Sequence, residues 1–545
     1  MFRFPFQSPR WAALAVGASL LLACDPEGST TETDASALTM AFDAVGGRDA
    51  LSTLTSFEVT GNGEMYLFGE GYEPELGDEL RGSFESITTV DLPGDRIHTS
   101  WDRTIDNFGV EMPLYYEEVV SGNAGVVVGC DSVFGLCTGQ MRSNRVAATR
   151  KSVELFNPHI LLAAAVDDPS IATELEDETI DGRTHRVVAI DANPRPIRLY
   201  IDAESGQLRR AVTTEIEPIL GDVEVEVAFD GWQSVQDSAL RFPSEAVATS
   251  GGLLTSAAYD RVARVLPTDD APFAVAEELD DNHDHELHEW GQTHSQWVDR
   301  SACAGVPFDG DQVSVEVVDL LAGSGMSGVY LFAGSHSTLL VEHDEGLILV
   351  EAPLHERRMD AVLTEVRKLY PTDPITHVVS THHHYDHTGG LRRALAEGEP
   401  TLVVSERGRK FYEDMLAAPF EVAPDALSIS GREVPIVTVP DGDVLRIGSG
   451  LLAVEVHDFE NTHADDMVVT YLPALKQLFQ SDLYFYFLGP DGSEFPLVPP
   501  FTQYAAPMIE EIETMGLDVD FLLGGHGFPV DWDTARRHIE AAGAP

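Results

Sequence analysis

Basic side chains are scarce in this chain. Against 91 Asp and Glu stand 34 Lys and Arg, and lysine occurs only at Lys151, Lys368, Lys410 and Lys476. The formal net charge at pH 7 is -57. A field of that sign repels nucleic acid and anionic membrane surfaces, so neither is an expected partner. An acidic, lysine-poor surface suits high salt, as in a halophilic or marine source; a lineage with an acidic proteome gives the same signature. Cysteine is equally sparse, at Cys24, Cys130, Cys137 and Cys303. Long apolar runs are missing after the first two dozen residues, which excludes a later transmembrane helix. A chain of 545 residues is too long for one core, and two or three domains are expected.

The first residues read as a targeting segment. Arg3 and Arg10 flank a short basic region, and Trp11 to Leu22 is an apolar run too short to span as a mature helix. Leu21-Leu22-Ala23-Cys24 follows, then Asp25-Pro26 and a polar Ser/Thr/Glu tract. This resembles a bacterial lipoprotein signal. The resemblance implies cleavage before Cys24, a lipid anchor on that residue, and a periplasmic position on the inner or outer membrane. An ordinary secretory signal with an incidental Cys24 is the other reading. In an exported chain Cys130 and Cys137, which bracket Asp-Ser-Val-Phe-Gly-Leu, are either a disulfide or two free thiols. Cys303 has no neighbour in sequence and is left as a structural or free thiol.

The expected organisation is a signal at 1–23, a tether at 24–35, a strand-rich domain at 36–270, an acidic His-rich linker at 271–310 and an α/β domain at 311–545. Ser36 to Leu54 reads as two short helices broken at Gly46-Gly47. Alternating stretches follow at Ser56, Arg186, Val223 and Leu240, with a hairpin over Ile197–Thr213 turning at Ser205-Gly206. One helix, Pro158 to Ala165, is expected with Asn157 as its cap. Many strands and few helices predict an antiparallel sheet wrapped on a helix, an α+β arrangement. The helix end Ala44-Val-Gly-Gly, the hairpin Tyr200-Ile-Asp-Ala-Glu-Ser-Gly and the strand Leu240-Arg-Phe-Pro resemble, weakly, the half-barrel domains of periplasmic lipoprotein carriers. No catalytic cluster is evident there. Scaffolding, a passive spacer, or holding an apolar or amphipathic ligand are its expected roles. The tract Asp280 to Trp290, with His294 just beyond, reads as a solvated linker that packs Trp290 and Trp297 on one domain, or else as a weak metal-scavenging tract.

The C-terminal part opens with apolar strands near Val313, Gly328, Ser337 and Leu347. A helix with Met359, Val362, Leu363, Val366 and Leu369 on one face follows, stopped by Pro371. After the strand Ile375 to Ser380 comes Thr381-His-His-His-Tyr-Asp-His-Thr-Gly-Gly390. On an extended loop His382 and His384 point the same way and suit one metal, while Asp386 and His387 reach a second. Each position then needs another nitrogen. His463 before the strand at Met467, and His526 within Gly524-Gly-His-Gly, are placed to supply them. Asp482, at the end of the run Leu478-Phe-Gln-Ser, is placed to bridge. His383 points away by alternation, and His377 and His457 read as structural. Glu351 ends a strand before the site, either bracing the ligand loop or facing solvent.

Thr381-His-His-His-Tyr-Asp-His-Thr-Gly-Gly, with His463, Asp482 and Gly525-His526-Gly527 in order, resembles the metallo-β-lactamase superfamily of hydrolases. The resemblance implies an αββα sandwich with two zinc ions at one sheet edge; iron or manganese also suits mixed His/Asp ligands. The ligand set is His382, His384 and His463 for one metal, and Asp386, His387 and His526 for the other, bridged by Asp482. Two such metals lower the pKa of water so that hydroxide attacks a carbonyl carbon near neutral pH. Asp386 or Asp482 would carry the proton to the leaving group, and Tyr484 would donate to substrate, unless it is a packed loop aromatic. Asp at 482 argues against a β-lactamase, whose members usually carry Cys or Ser there, and favours glyoxalase II, lactonase or phosphodiesterase branches. The short tail after His526 leaves no room for the helical substrate domain of glyoxalase II. The expected activity is hydrolysis of a small-molecule ester, lactone, thioester or amide. A β-lactamase, or a lipid-anchored carrier with a structural metal site, are the alternatives.

Overall fold

The computed structural model describes residues 35–107, 110–131, 138–192, 195–275, 283–295, 314–489, 491–497 and 501–543. The expected signal segment, Cys24, Cys137, Trp297 and Cys303 lie outside them; Cys130 is disulfide-bonded. From Ala37 onward the chain holds together as one unit.

Two short helices, Ala37–Ala44 and Arg48–Ser52, open it, parted by Gly46 and Gly47 at φ +120° and +98°. A side chain at Gly46 would collide with the Ala239 carbonyl, so the position needs both the left-handed turn and the close approach. An antiparallel 14-stranded sheet follows, mostly an up-and-down meander. Its first long strand, Ser56–Leu67, lies between Glu79–Asp91 and the last strand, Leu253–Leu266. The hairpin around Ser205-Gly206 is present, from Ile197–Asp202 to Leu208–Glu217.

Two helices, not one, fall between the strands and pack on this sheet. Ser143–Phe156 and His159–Asp167 contribute Val146, Leu155, Leu161, Leu162 and Val166 to a core shared with Phe57, Phe229 and Phe242. The first is hidden in sequence because its buried face carries charge: Arg145 is buried against Glu118 and Asp131 at 2.9 and 2.5 Å. Asn157 does not cap the second helix. Its side-chain amide donates to Val153 O and closes the first.

The His-rich tract holds a helix, His285–Thr293, capped by Asp284, whose carboxylate accepts from Leu287 N at 3.0 Å. Trp290 packs against the rings of His294 and His355, at 4.9 and 5.0 Å between centroids.

Two further sheets form the C-terminal part. One has seven strands in sequence order from Glu316–Asp319 to Ile436–Val439, and the other six from Val444–Ile447 to Val530–Asp531. Their facing sides share an apolar, mostly aliphatic layer, including Leu331, Ile348, Val379 and Val403 from one and Val456, Val468, Phe479 and Leu523 from the other. Helices Glu356–Leu369 and Arg409–Ala417 cover the outside of the first sheet. Helices Thr502–Met515 and Trp532–Ala541 cover the second. The result is an αββα sandwich, so the whole molecule is mixed α/β with a large strand-rich region ahead of it. No helix among the described residues is long and apolar enough to cross a membrane.

Candidate metal centre

Strand ends from both sheets meet at one edge of the sandwich. The strand Ile375–Val379 delivers Ser380 to His384 as extended chain, and a one-turn helix, Tyr385–Thr388, carries Asp386 and His387. The helical turn, rather than a continued loop, separates the two pairs of side chains. Gly389 and Gly390 let this turn sit on the neighbouring segment: a Cβ on the first would strike Leu354 O, and on the second Met359. The strands ending at Gln480 and Gly524 deliver Asp482 and His526. His463 lies in the loop before Val468–Leu472, where Asn461 Oδ1 accepts from His463 N at 2.7 Å and Ala464 N at 2.8 Å.

The structure brings seven side chains together. His382, His384, His463 and Asp482 form one group with ligand atoms within 4.8 Å of one another; Asp386, His387, Asp482 and His526 form a second. Asp482 divides between them. Its Oδ2 lies 3.4 Å from His463 Nε2, and its Oδ1 lies 3.1 Å from His387 Nε2 and 3.2 Å from His526 Nε2. Asp386 Oδ2 is 3.4 and 3.5 Å from the same two histidines of the second group.

The far nitrogens of four ligand candidates are committed elsewhere, which fixes what each ring presents inward. His387 Nδ1 meets Glu351 Oε2 at 2.6 Å. His526 Nδ1 meets Ser335 O at 3.0 Å. His384 Nε2 meets Gly71 O at 2.9 Å. His382 Nδ1 meets Thr381 Oγ1 at 3.0 Å, and that hydroxyl donates to Glu351 Oε1. His382 Nε2 and Asp386 Oδ1 are then buried without a hydrogen-bond partner. Orphaned donor atoms of this kind, aimed into a shared His/Asp cage, fit a pair of divalent cations.

Burial, with His387, His384 and His463 nearby, holds His382 well below the usual histidine range; burial and His463 do the same to His384. Neutral imidazole is the form that ligates. The second group behaves differently. Burial opposes charge on His526, but Asp482 and Asp386 raise it to about 9, and the carboxylates Asp386, Asp482 and Glu351 push His387 well above its usual value. Burial alone would raise Asp386 and Asp482, yet His387 beside them, with His526, holds both well below the carboxylate range. A cation held by the second group would have to displace protons from these histidines.

Tyr484 is not in the site. It is buried in the core under the outer helices, and its hydroxyl is 2.9 Å from His538 Nδ1. A strand-end turn at Asp482 sends the next residues into that core instead of the cleft. His383 also faces away, with Nδ1 2.7 Å from Asp466 Oδ1. That contact ties the His382–His384 segment to the His463 loop.

Residues outside the seven also touch the cluster or the segments that carry it. His336 Nε2 lies 3.0 Å from Asp386 Oδ2, and burial lowers its pKa to about 3. Asp466, the second of a doubled acid three residues past His463, carried some signal in sequence. Glu70 and Gly71 carried none, since they sit more than 300 residues before the motif. Tyr385 N donates to Glu70 Oε1 at 2.9 Å, and burial, reinforced by Asp386, pushes Glu70 well above the usual carboxylate range while Arg81 draws it partly back. The strand-rich region, expected to hold no site residue, thus reaches into the centre.

Comparison with solved structures finds likenesses that cover less than half of the chain. A metallo-beta-lactamase from Pontibacter korlensis is 18% identical and covers 43% of this chain and 100% of its own, with a TM-score of 0.32. The sec-alkylsulfatase Pisa1 from Pseudomonas sp. is 19% identical, covering 45% of this chain and 42% of its own, at 0.31. Rubredoxin oxygen:oxidoreductase from Desulfovibrio gigas is 19% identical, covering 42% and 59%, at 0.29. At such identities and scores nothing follows about substrate. The family described as the Metallo-beta-lactamase superfamily matches residues 331–526, a span that begins in the first sheet and ends on His526. Sandwich, ligand cage and family match coincide there, and the C-terminal part of this chain is a metallo-beta-lactamase superfamily domain.

Proposed function

We propose that the chain is a dinuclear metal-dependent hydrolase of a small-molecule ester, lactone, thioester or amide. The observation that carries this is the division of Asp482, one oxygen toward His463 and the other toward His387 and His526. A carboxylate placed between two histidine groups would suit a pair of zinc, iron or manganese ions, and zinc suits the nitrogen-rich first group. When bound, two such ions supply a nucleophile from water near neutral pH and polarise the bond to be broken.

The chain's own residues do the rest. His382 and His384 present neutral nitrogens, and His463 completes their group. Asp386 and Asp482 are the carboxylates next to the reacting atoms, placed to take a proton and return it to the leaving group. His336 holds Asp386 Oδ2 in place. No Ser or Cys nucleophile is needed. The aspartate at 482 remains the argument against β-lactam hydrolysis.

Export is part of the same proposal. Leu21-Leu22-Ala23-Cys24 supports a lipid anchor on Cys24 and a periplasmic address.

The test is a metal count followed by a panel of ester, lactone, thioester, amide and β-lactam substrates, with and without chelator. Two metals and chelator-sensitive turnover of one acyl class are expected. His384→Ala should lower that turnover by more than about a hundredfold, the upper end for losing an outer partner of a ligand. Turnover that ignores chelator, or that survives His384→Ala, refutes the proposal.

A further inference from the structure

The hairpin between the strands Ser56–Leu67 and Glu79–Asp91 does not end in solvent. Its pairing stops at Leu67 opposite Glu79, and the intervening loop, Phe68 to Asp78, crosses to the metal centre. Phe68, with Leu67 before it, is fully buried in the same cluster as Phe332, Met359 and Tyr385 of the sandwich. Beyond this anchor the loop touches both segments that carry the first histidine group. Gly71 O accepts from His384 Nε2 at 2.9 Å, and Glu70 Oε1 accepts from Tyr385 N at 2.9 Å. One residue on, Tyr72 O accepts from Asp465 N at 2.7 Å, two residues from His463, and the Tyr72 hydroxyl donates to Asn461 O at 3.4 Å. Asn461 is the residue that holds His463 N.

We propose that the Phe68–Asp78 loop is a working part of the first metal position, with Gly71 and Glu70 as positioning residues supplied by the strand-rich region. This rests on the metal-centre reading above. The Gly71 carbonyl keeps the proton of His384 on Nε2, which leaves Nδ1 as the ligating atom. Glu70 fixes the first peptide of the turn that bears Asp386 and His387. Tyr72 pins the His463 loop against the His384 segment, so one loop sets the spacing of two ligands that are 79 positions apart in the sequence. The strand-rich region is thereby neither a spacer nor a separate module; it holds in position a cage whose ligands lie in the C-terminal part.

The test uses the full chain stripped of metal and titrated with Co(II), reading ligand-field absorption and competition against a chelator. In one variant Gly69–Gly77 is replaced by Asn-Gly, which closes a two-residue hairpin between Phe68 and Asp78. Affinity at the first position should fall ten- to a hundredfold, as for loss of an outer partner of a ligand. The Co(II) bands of the remaining ion should persist. Glu70→Ala should weaken binding in the same direction, and Glu70→Gln, which keeps an acceptor for Tyr385 N, should stay within about threefold of the parent. Glu70→Ala also decides the matter if the shortened hairpin fails to fold. Unchanged Co(II) affinity and spectrum in a folded shortened variant or in Glu70→Ala overturns the proposal. His384→Ala is the control. If it too binds two ions as tightly as the parent, the metal-centre reading fails; if it loses one and the loop variants do not, only the role of the loop fails.

Discussion

Glu351→Gln tests whether the cage depends on fixed imidazole tautomers. Glu351 is fully buried and accepts twice: from the Thr381 hydroxyl on Oε1 and from His387 Nδ1 on Oε2 at 2.6 Å. Thr381 in turn accepts from His382 Nδ1 at 3.0 Å. One carboxylate therefore sets the inward nitrogen of a ligand in each metal group. Glutamine has one acceptor and one donor at this end. With its oxygen toward Thr381, its amide faces His387 Nδ1 and drives the proton to Nε2, the ligating atom. With the amide toward Thr381, the hydroxyl is turned to donate to His382 Nδ1, and the proton moves to His382 Nε2. Either orientation spoils one ligand. Restoring it costs a charge-assisted hydrogen bond, about 1.5–3 kcal/mol, or roughly ten- to a hundredfold in affinity. Glu351→Ala should be milder, because a water entering the space accepts from both partners. The assay is competition of metal-free protein with a chromophoric chelator, with bound metal counted after gel filtration. The expected order is parent, then Ala, then Gln. A Gln variant that retains both metals at parental affinity refutes the tautomer argument.

Three further outcomes are expected. His159 is buried with Nε2 2.8 Å from Arg241 O and its ring stacked on Phe242, and burial lowers its pKa to about 3. The unfolded chain therefore binds a proton that the folded chain does not as pH falls from about 6.5 to 3. Stability is lost across that window, on the order of 5 kcal/mol in all, and His159→Phe should flatten this part of a pH–melting curve. Arg358 is fully buried, donating to Phe332 O at 3.3 Å, His336 O at 2.7 Å and Ser314 O; Arg358→Met should cost about 3 kcal/mol or more, visible in a urea midpoint, and should loosen His336. With a net charge of -57, the melting temperature should climb with KCl between low and molar salt, as screening removes self-repulsion; a flat response would separate the acidic composition from salt dependence.

Much of the sandwich and cage was legible because the pattern is local. His382, His384, Asp386 and His387 sit within one turn and one extended segment, and His463, Asp482 and His526 each follow or precede an apolar strand by a few residues. Strand ends predict where side chains emerge, and the structure gathers all seven. Tyr484 shows the limit of that rule. Two positions past Asp482 the chain has already turned inward, since Asp482 itself takes φ +62°. The helix Ser143–Phe156 escaped because its buried face holds Arg145, Asn144 and Thr149, which periodicity of apolar residues cannot register. Glu70 and Gly71 escaped for a different reason. Their function depends on a contact across more than 300 residues, made partly by a backbone carbonyl that carries no sequence identity.

The backbone itself argues that the cage is held rather than merely permitted. Glu351 and Asp482 are both non-glycine residues in the left-handed region, at φ +74° and +62°, and each follows a strand of a different sheet. Such positions cost of order 1–3 kcal/mol apiece. A strand continuing normally from Val350 or Gln480 would send these side chains along the sheet face. The left-handed step turns them across the edge instead, Glu351 toward Thr381 and His387, Asp482 toward both histidine groups. The layer between the sheets, with Val350, Val379, Phe479 and Leu523 all buried, fixes where each strand stops. Strain at two points that converge from two sheets on one set of donors is hard to attribute to packing alone, because each sheet would relax by leaving that region. It follows if the position of the two carboxylates relative to His382, His387, His463 and His526 is the property the fold maintains.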